Sequence, residues 1–235
     1  APPSSGGVLL LASLHMLDAI DALAMTGTAR VHALVEVLRR AYRDRARYLG
    51  DPDQVSMPIQ RLVHPDYAAG LIRDFDPGRA TPSRPADPGC GLGTGAAASP
   101  EGLQTSHYSI LDREGNRVAA TQTINYPFGS GFVAPGTGVL LNDEMDDFSA
   151  QPGVPNARGL VGGAANAIAP GKRMLSSMTP TFLESDRGLA ILGTPGGSRI
   201  ISMVLQGVLA LTEGVPVADW IARPRIHHQF LPDVI

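Results

Sequence analysis

Gln104-Thr105-Ser106-His107-Tyr108-Ser109 is the stretch on which the fold of this chain turns, because a strand-like segment begins at Thr105 immediately after a linker. Residues 76–104 are rich in Pro, Gly, Ala and Ser, a composition that buries too little apolar surface to order itself and reads as a flexible linker. From Thr105 to Asn125 the pattern predicts a hairpin. Tyr108-Ser109-Ile110-Leu111 leads in, Asp112-Arg113-Glu114-Gly115-Asn116 supplies turn chemistry, and Val118 to Ile124 returns. A threonine at such a junction has a chemical use. If the bond before it is cut, its freed α-amine can serve as the base for its own hydroxyl. Read alone, Thr105 is equally a residue that suits a strand.

With 235 residues and 43% hydrophobic content the chain can bury one substantial core. A formal charge of −3 and an isoelectric point near 6.1 give no electrostatic case for nucleic acid or an anionic membrane. Cys90 is the only cysteine, which excludes an internal disulfide framework and a multi-cysteine metal site. The apolar run Val8 to Leu11 is far shorter than a bilayer span needs.

Helices are expected before the linker and mostly strands after it. Leu10, Leu14, Leu17 and Ile20 mark one helix over 8–25, with Gly27 as its stop. Val31, Leu34, Val35, Leu38, Ala41 and Tyr42 mark a second over 30–48, leaving Arg39, Arg40, Arg43, Asp44 and Arg47 on an expected solvated face. A shorter helix is expected over 65–75. Gly138 to Leu141 reads as a short buried strand, 181–184 and 189–192 as a hairpin, and 200–211 as a helix. Together these give an α+β class.

Further blocks extend the pattern: Pro2-Pro3-Ser4-Ser5-Gly6-Gly7, Tyr48-Leu49-Gly50-Asp51-Pro52, Thr123-Ile124-Asn125 and Leu140 to Ser149. Gly171-Lys172-Arg173-Met174-Leu175-Ser176-Ser177-Met178-Thr179-Pro180, Thr194-Pro195-Gly196-Gly197-Ser198-Arg199 and Arg225-Ile226-His227-His228-Gln229 follow. In this order, with Thr105-Ser106-His107-Tyr108-Ser109, they resemble the γ-glutamyltransferases over nearly the whole chain. The resemblance implies the four-layer αββα sandwich of N-terminal-nucleophile hydrolases, incomplete in this chain. It also implies an internal piece of a longer precursor, with 1–104 ending the large subunit and 105–235 beginning the small one.

What the resemblance implies for chemistry can be put residue by residue. Self-cleavage between Gln104 and Thr105 would expose Thr105 as the nucleophile, and Thr123 would hydrogen-bond it. Asn125, Glu144 and Asp147 would hold the α-ammonium of a γ-glutamyl donor, which needs acceptors and negative charge. Ser176 and Ser177 would donate to its α-carboxylate. The backbone N–H groups of Gly196 and Gly197 would form the oxyanion hole. No cofactor is implied; His107 is read as structural, and a metal site is not expected at the adjacent His227 and His228, whose side chains would point apart on a strand. The implied partners are glutathione or other γ-glutamyl compounds, amino-acid or peptide acceptors, and the two subunits for each other, in the periplasm or medium. Arg158 departs from the pattern, standing where many bacterial members carry a lid tyrosine. Two rivals stay open: a related acylase that removes glutaryl groups from β-lactam intermediates, and a non-catalytic segment with an assembly role.

Overall fold

The computed structural model describes residues 3–84, 104–186 and 188–235. The chain is α+β. Helices α1 (Gly6–Ala19), α2 (Gly27–Tyr48), α3 (Ile59–Leu62) and α4 (Pro65–Ile72) come first. Hairpin β1–β2 (Thr105–Leu111, Arg117–Thr123) and hairpin β3–β4 (Thr181–Ser185, Gly188–Leu192) follow, then α5 (Ile200–Thr212) and α6 (Val217–Trp220). Both hairpins are two-stranded antiparallel sheets.

The core is helical and draws on both ends of the chain. Leu9, Met16 and Leu17 of α1, Val37, Leu38 and Tyr42 of α2, and Ile201, Val204 and Leu205 of α5 form one apolar cluster. Leu17, Leu38 and Tyr42 lie on the expected stripes, Leu9, Met16 and Val37 are buried beside them, and Val31 is exposed; burying each such apolar side chain stabilises the fold by about 1.5–3 kcal/mol. Gly27 opens α2 instead of stopping the preceding helix, which ends at Ala19 before a single 3-10 turn over Ala22–Ala24. At α4, His64 Nδ1 accepts from the Asp66 amide at 3.2 Å and Pro65 takes the first helical position, where its missing N–H costs nothing.

Three further expectations are corrected. Arg39, Arg40 and Asp44 are buried, not solvated. Their face of α2 is covered by α4 and by residues 71–84, and Glu36 supplies the countercharge there. Arg40 reaches Glu36 Oε2 at 2.5 Å, Asp74 Oδ1 at 2.8 Å and the Leu71 carbonyl at 2.8 Å. Val139 and Leu141 are exposed, and Gly138 to Leu141 forms only an isolated bridge, Val133 with Leu140, because it follows a tight loop with Gly136 and Gly138 at positive φ. Within the linker, residues 76–84 are anchored: the Thr81 amide donates to Glu36 Oε1 at 2.9 Å and the Ser83 amide to Asp233 Oδ2 at 2.9 Å. The rest of the expected flexible stretch, with Cys90, lies outside the described residues.

The first hairpin sets the site. Its register pairs Thr105 with Thr123 and Leu111 with Arg117 around an Asp112–Asn116 turn closed by an Asn116 N to Asp112 Oδ1 bond of 2.8 Å. β4 lies against it, with Ser109 Oγ donating to the Ile191 carbonyl at 3.1 Å. Tyr108 and Ile110, on one face of β1, are exposed among the described residues.

Candidate active site

At the mouth of the first hairpin the antiparallel register places two threonine side chains opposite one another. Thr105 Oγ1 donates to Thr123 Oγ1 at 3.0 Å, and Thr105 is buried. Thr123 Oγ1 also accepts from the Asn125 amide at 2.9 Å. Asn125 itself sits at φ 72°, a left-handed conformation that asparagine tolerates better than most residues. That turn carries its side chain back over the strand end. Its Nδ2 donates to the Asp143 carbonyl at 3.3 Å, and its Oδ1 accepts from Arg158 Nη2 at 3.0 Å.

Around this pair lies a cramped cavity of about 20 Å³, room for roughly one water. Thr105, Thr123, Asn125, Glu144, Asp147, Ser176, Ser177 and Gly197 all line it. Of the residues named from the sequence, Gly196 and Gln104 do not. Gly196 stands behind the wall, against Met203. A larger and mostly apolar groove of about 480 Å³ lies between α5, β4 and residues 220–226 and shares no lining residue with this cavity.

The acidic side of the cavity comes from the single 3-10 turn Glu144–Asp147. Burial, and then the neighbouring Asp147 charge, push the Glu144 carboxyl up to about 7. Burial likewise raises Asp147, while Arg45 and Arg158 pull it down. Glu144 Oε1 is buried with no hydrogen-bond partner. Two half-buried carboxylates on one wall of the cavity form a seat for a cation, whose arrival would relieve both the repulsion and the desolvation.

Ser176 and Ser177 are positioned by the opposite end of the chain. Ser5 N donates to the Ser176 carbonyl at 2.9 Å, and Ser176 N donates to the Pro3 carbonyl at 3.0 Å. Arg45, buried on α2, holds Ser5 Oγ at 2.9 Å and Ser177 Oγ at 3.2 Å. The sequence reading passed over Arg45. The signal was present, since Arg45 follows Ala41 and Tyr42 by four and three residues on the buried face of α2. Asp51 and Gly50 steady the same loop. Asp51, buried, accepts from Arg173 N at 2.8 Å and from its guanidinium at 2.6 Å, which holds the Asp51 carboxyl well below the usual range. A Cβ on Gly50 would lie 2.1 Å from the Ala165 carbonyl oxygen, so only glycine fits.

Gly197 has φ +57° and leads through a 3-10 turn into α5, so its amide sits at the start of a helix. The guanidinium of Arg158 lies flat against it: a Cβ on Gly197 would be 2.5 Å from Arg158 Nη1. The histidines serve other ends. His107 binds Thr121 Oγ1 at 2.8 Å and Ser109 Oγ at 3.1 Å, on strands 1 and 2. His227 binds Ser202 Oγ at 2.8 Å, and His228 binds Asp233 at 3.1 Å. Among the described residues no three His, Cys, Asp or Glu side chains are grouped to hold a metal ion, and no helix is long and apolar enough to cross a membrane.

Known proteins resemble this chain in sequence and in fold. The family model described as gamma-glutamyltranspeptidase matches residues 1–235. The glutathione hydrolase proenzyme of Escherichia coli K12 is 46% identical over 99% of the chain, and that of Bacillus subtilis 168 is 37% identical over 96%. The chain spans about two-fifths of these relatives, 40% and 39% of their lengths. Among solved structures, the gamma-glutamyltranspeptidase of Pseudomonas nitroreducens complexed with L-DON superposes with a TM-score of 0.51 at 53% identity, covering 54% of this chain and 66% of that one. A cephalosporin acylase from Bacillus halodurans shares the fold over 91% of this chain and 35% of its own, with a TM-score of 0.64 at 21% identity. The helices and the two hairpins are thus part of the αββα sandwich of N-terminal-nucleophile hydrolases, and the chain belongs to the gamma-glutamyltranspeptidase family.

Proposed function

We propose that the whole protein is a γ-glutamyltransferase and glutathione hydrolase that activates itself at Thr105. The observation that carries this is the Thr105–Thr123 hydroxyl pair at 3.0 Å, set in one cavity with Asn125, Glu144, Asp147, Ser177 and Gly197. In maturation, Thr105 Oγ attacks the Gln104 carbonyl, the peptide C–N bond breaks, and an ester forms. Water then hydrolyses the ester, leaving the Gln104 carboxylate and a free Thr105 amine.

In turnover that amine takes the proton from Thr105 Oγ as the oxygen attacks the γ-carbonyl of the donor, and returns it to the departing amine. Thr123, in hydrogen-bond contact with Thr105 Oγ1 at 3.0 Å, orients that oxygen, and its own hydroxyl can donate to it once the Thr105 proton passes to the amine. The Gly197 amide, with Gly196 beside it, stabilises the oxyanion. Asn125 Oδ1, Glu144 and Asp147 take the donor's α-ammonium, and Ser176 and Ser177 its α-carboxylate. Water, or the amine of an amino acid or peptide, then displaces Thr105 from the γ-glutamyl ester. None of these steps calls on a cofactor.

On this reading the cut divides 1–104 from 105–235 without separating them. The apolar cluster shared by α1, α2 and α5 and the Pro3–Ser176–Ser5 backbone bonds cross the division. The periplasm or medium is the proposed place of action. The test is intact mass and N-terminal sequencing of the purified full-length precursor beside Thr105→Ala. A new N-terminus at Thr105, lost in the variant, is expected. A wild-type chain that stays uncut under folding conditions would remove the catalytic assignment and leave an assembly role.

A further inference from the structure

Among the described residues, Arg158 is the one Lys or Arg that lines the cavity. Its Nη2 donates to the Asn125 carbonyl at 2.9 Å and to Asn125 Oδ1 at 3.0 Å. The guanidinium carbon lies 4.7 Å from the Tyr126 ring centroid, and the group rests on Gly197. The loop that presents it is anchored, since Arg158 N donates to Asn156 Oδ1 at 3.0 Å and Gln229 Nε2 donates to the Arg158 carbonyl at 3.3 Å. The charge of Arg158 also favours the ionised forms of Glu144 and Asp147. Asn125 Oδ1 is an acceptor that an incoming ammonium would need, and in this structure it is already taken.

We infer that Arg158 is a specificity-determining residue that stands in for the substrate's α-ammonium, and that donors carrying the amine must displace it while donors lacking the amine need not. The inference rests on the γ-glutamyl reading above. A glutaryl donor has the same chain and carbonyl but no ammonium. It can leave the guanidinium on Asn125, where it continues to offset the two carboxylates. A γ-glutamyl donor brings a second cation against the first at Asn125 Oδ1, and the like charges require the Arg158 Nη2–Oδ1 bond to give way. Arg158 therefore narrows the preference for amino-bearing donors that Glu144 and Asp147 create.

The experiment uses the matured full-length protein, wild type and Arg158→Ala, with γ-glutamyl and glutaryl anilides as paired donors. Relief of a charge-assisted contact predicts that KM for the γ-glutamyl donor falls by about tenfold in the variant. KM for the glutaryl donor is expected to hold or rise, so the ratio of kcat/KM values moves toward the amino-bearing donor. Arg158→Gln, neutral and similar in reach, should move the ratio the same way. Arg158→Lys should move it less, because the charge remains. Wild-type turnover of the γ-glutamyl anilide with an unmoved ratio, or with both donors shifted equally, overturns this inference alone. No wild-type turnover of that anilide removes the γ-glutamyl reading, and this inference with it.

Discussion

Thr123 offers the sharpest perturbation, because valine keeps its shape and removes only the oxygen. In the structure that oxygen accepts two bonds, from Thr105 Oγ1 at 3.0 Å and from the Asn125 amide at 2.9 Å. A neutral hydrogen bond contributes about 0.5–1.5 kcal/mol net, so losing both weakens the arrangement by about 2 kcal/mol. If that sum falls on the attacking geometry, it corresponds to about 30-fold in rate, at about 1.4 kcal/mol per factor of ten. Thr123→Val in the full-length precursor should slow self-cleavage, followed by intact mass against time. In protein that does mature, it should slow γ-glutamyl anilide hydrolysis by a similar factor. Thr123→Ser keeps the acceptor and should recover most of both rates. Thermal unfolding of each variant separates loss of chemistry from loss of fold. Valine at the wild-type rate, or serine as slow as valine, would refute the assignment of Thr123 as the group that orients Thr105.

Three further outcomes follow from the charges. Ionised Glu144 is needed to hold an ammonium, and its carboxyl is raised to about 7, so kcat/KM for a γ-glutamyl donor should climb with pH through that value. Glu144→Gln should remove that inflection from the pH profile and leave the later one of the Thr105 amine, near about 8 in an unperturbed α-amine. The raised value also makes Glu144 a stability cost that grows as pH rises from its unfolded pKa to its folded one. The Tm of Glu144→Gln relative to wild type should therefore improve between about pH 5 and pH 8. Buried Glu36 accepts from Arg40 and from the Thr81 amide. Glu36→Ala leaves Arg39 and Arg40 buried without it and should cost the precursor about 3–5 kcal/mol in denaturant unfolding. A loss under about 1 kcal/mol would show that Asp74, Asp233 and the Leu71 carbonyl suffice for these arginines.

Where the sequence was legible, one physical period dominated. Alternation and turn chemistry located both hairpins, and the first register then fixes the Thr105–Thr123 pairing with no further information. The helices of the core were legible for the same reason, since their stripes are continuous. The charged face of α2 misled because hydropathy alone does not say where countercharge waits: Glu36 and the Leu71 carbonyl make burial of Arg40 tolerable. Leu140 and its neighbours read as a strand by composition, but the segment only folds back on residues 130–134 as a short loop, with one isolated bridge between Val133 and Leu140. The cluster around Thr105 was named through resemblance, residue by residue. Arg45 was missed because its partners, Ser5 and Ser177, lie 40 and 132 residues away. The occupation of Asn125 by Arg158 was illegible for the same reason, as it depends on a loop folding back across 33 residues.

The central claim is that Thr105 Oγ becomes bonded to the donor's γ-glutamyl group. The matured full-length protein should be mixed with a γ-glutamyl anilide, quenched in acid within one turnover, digested, and its N-terminal Thr105 peptide weighed. The account predicts a population heavier by one γ-glutamyl group on that peptide, labile to mild base and absent when glutamate replaces the anilide. Steady release of aniline with the peptide never modified, or the added mass on any other residue, would contradict it.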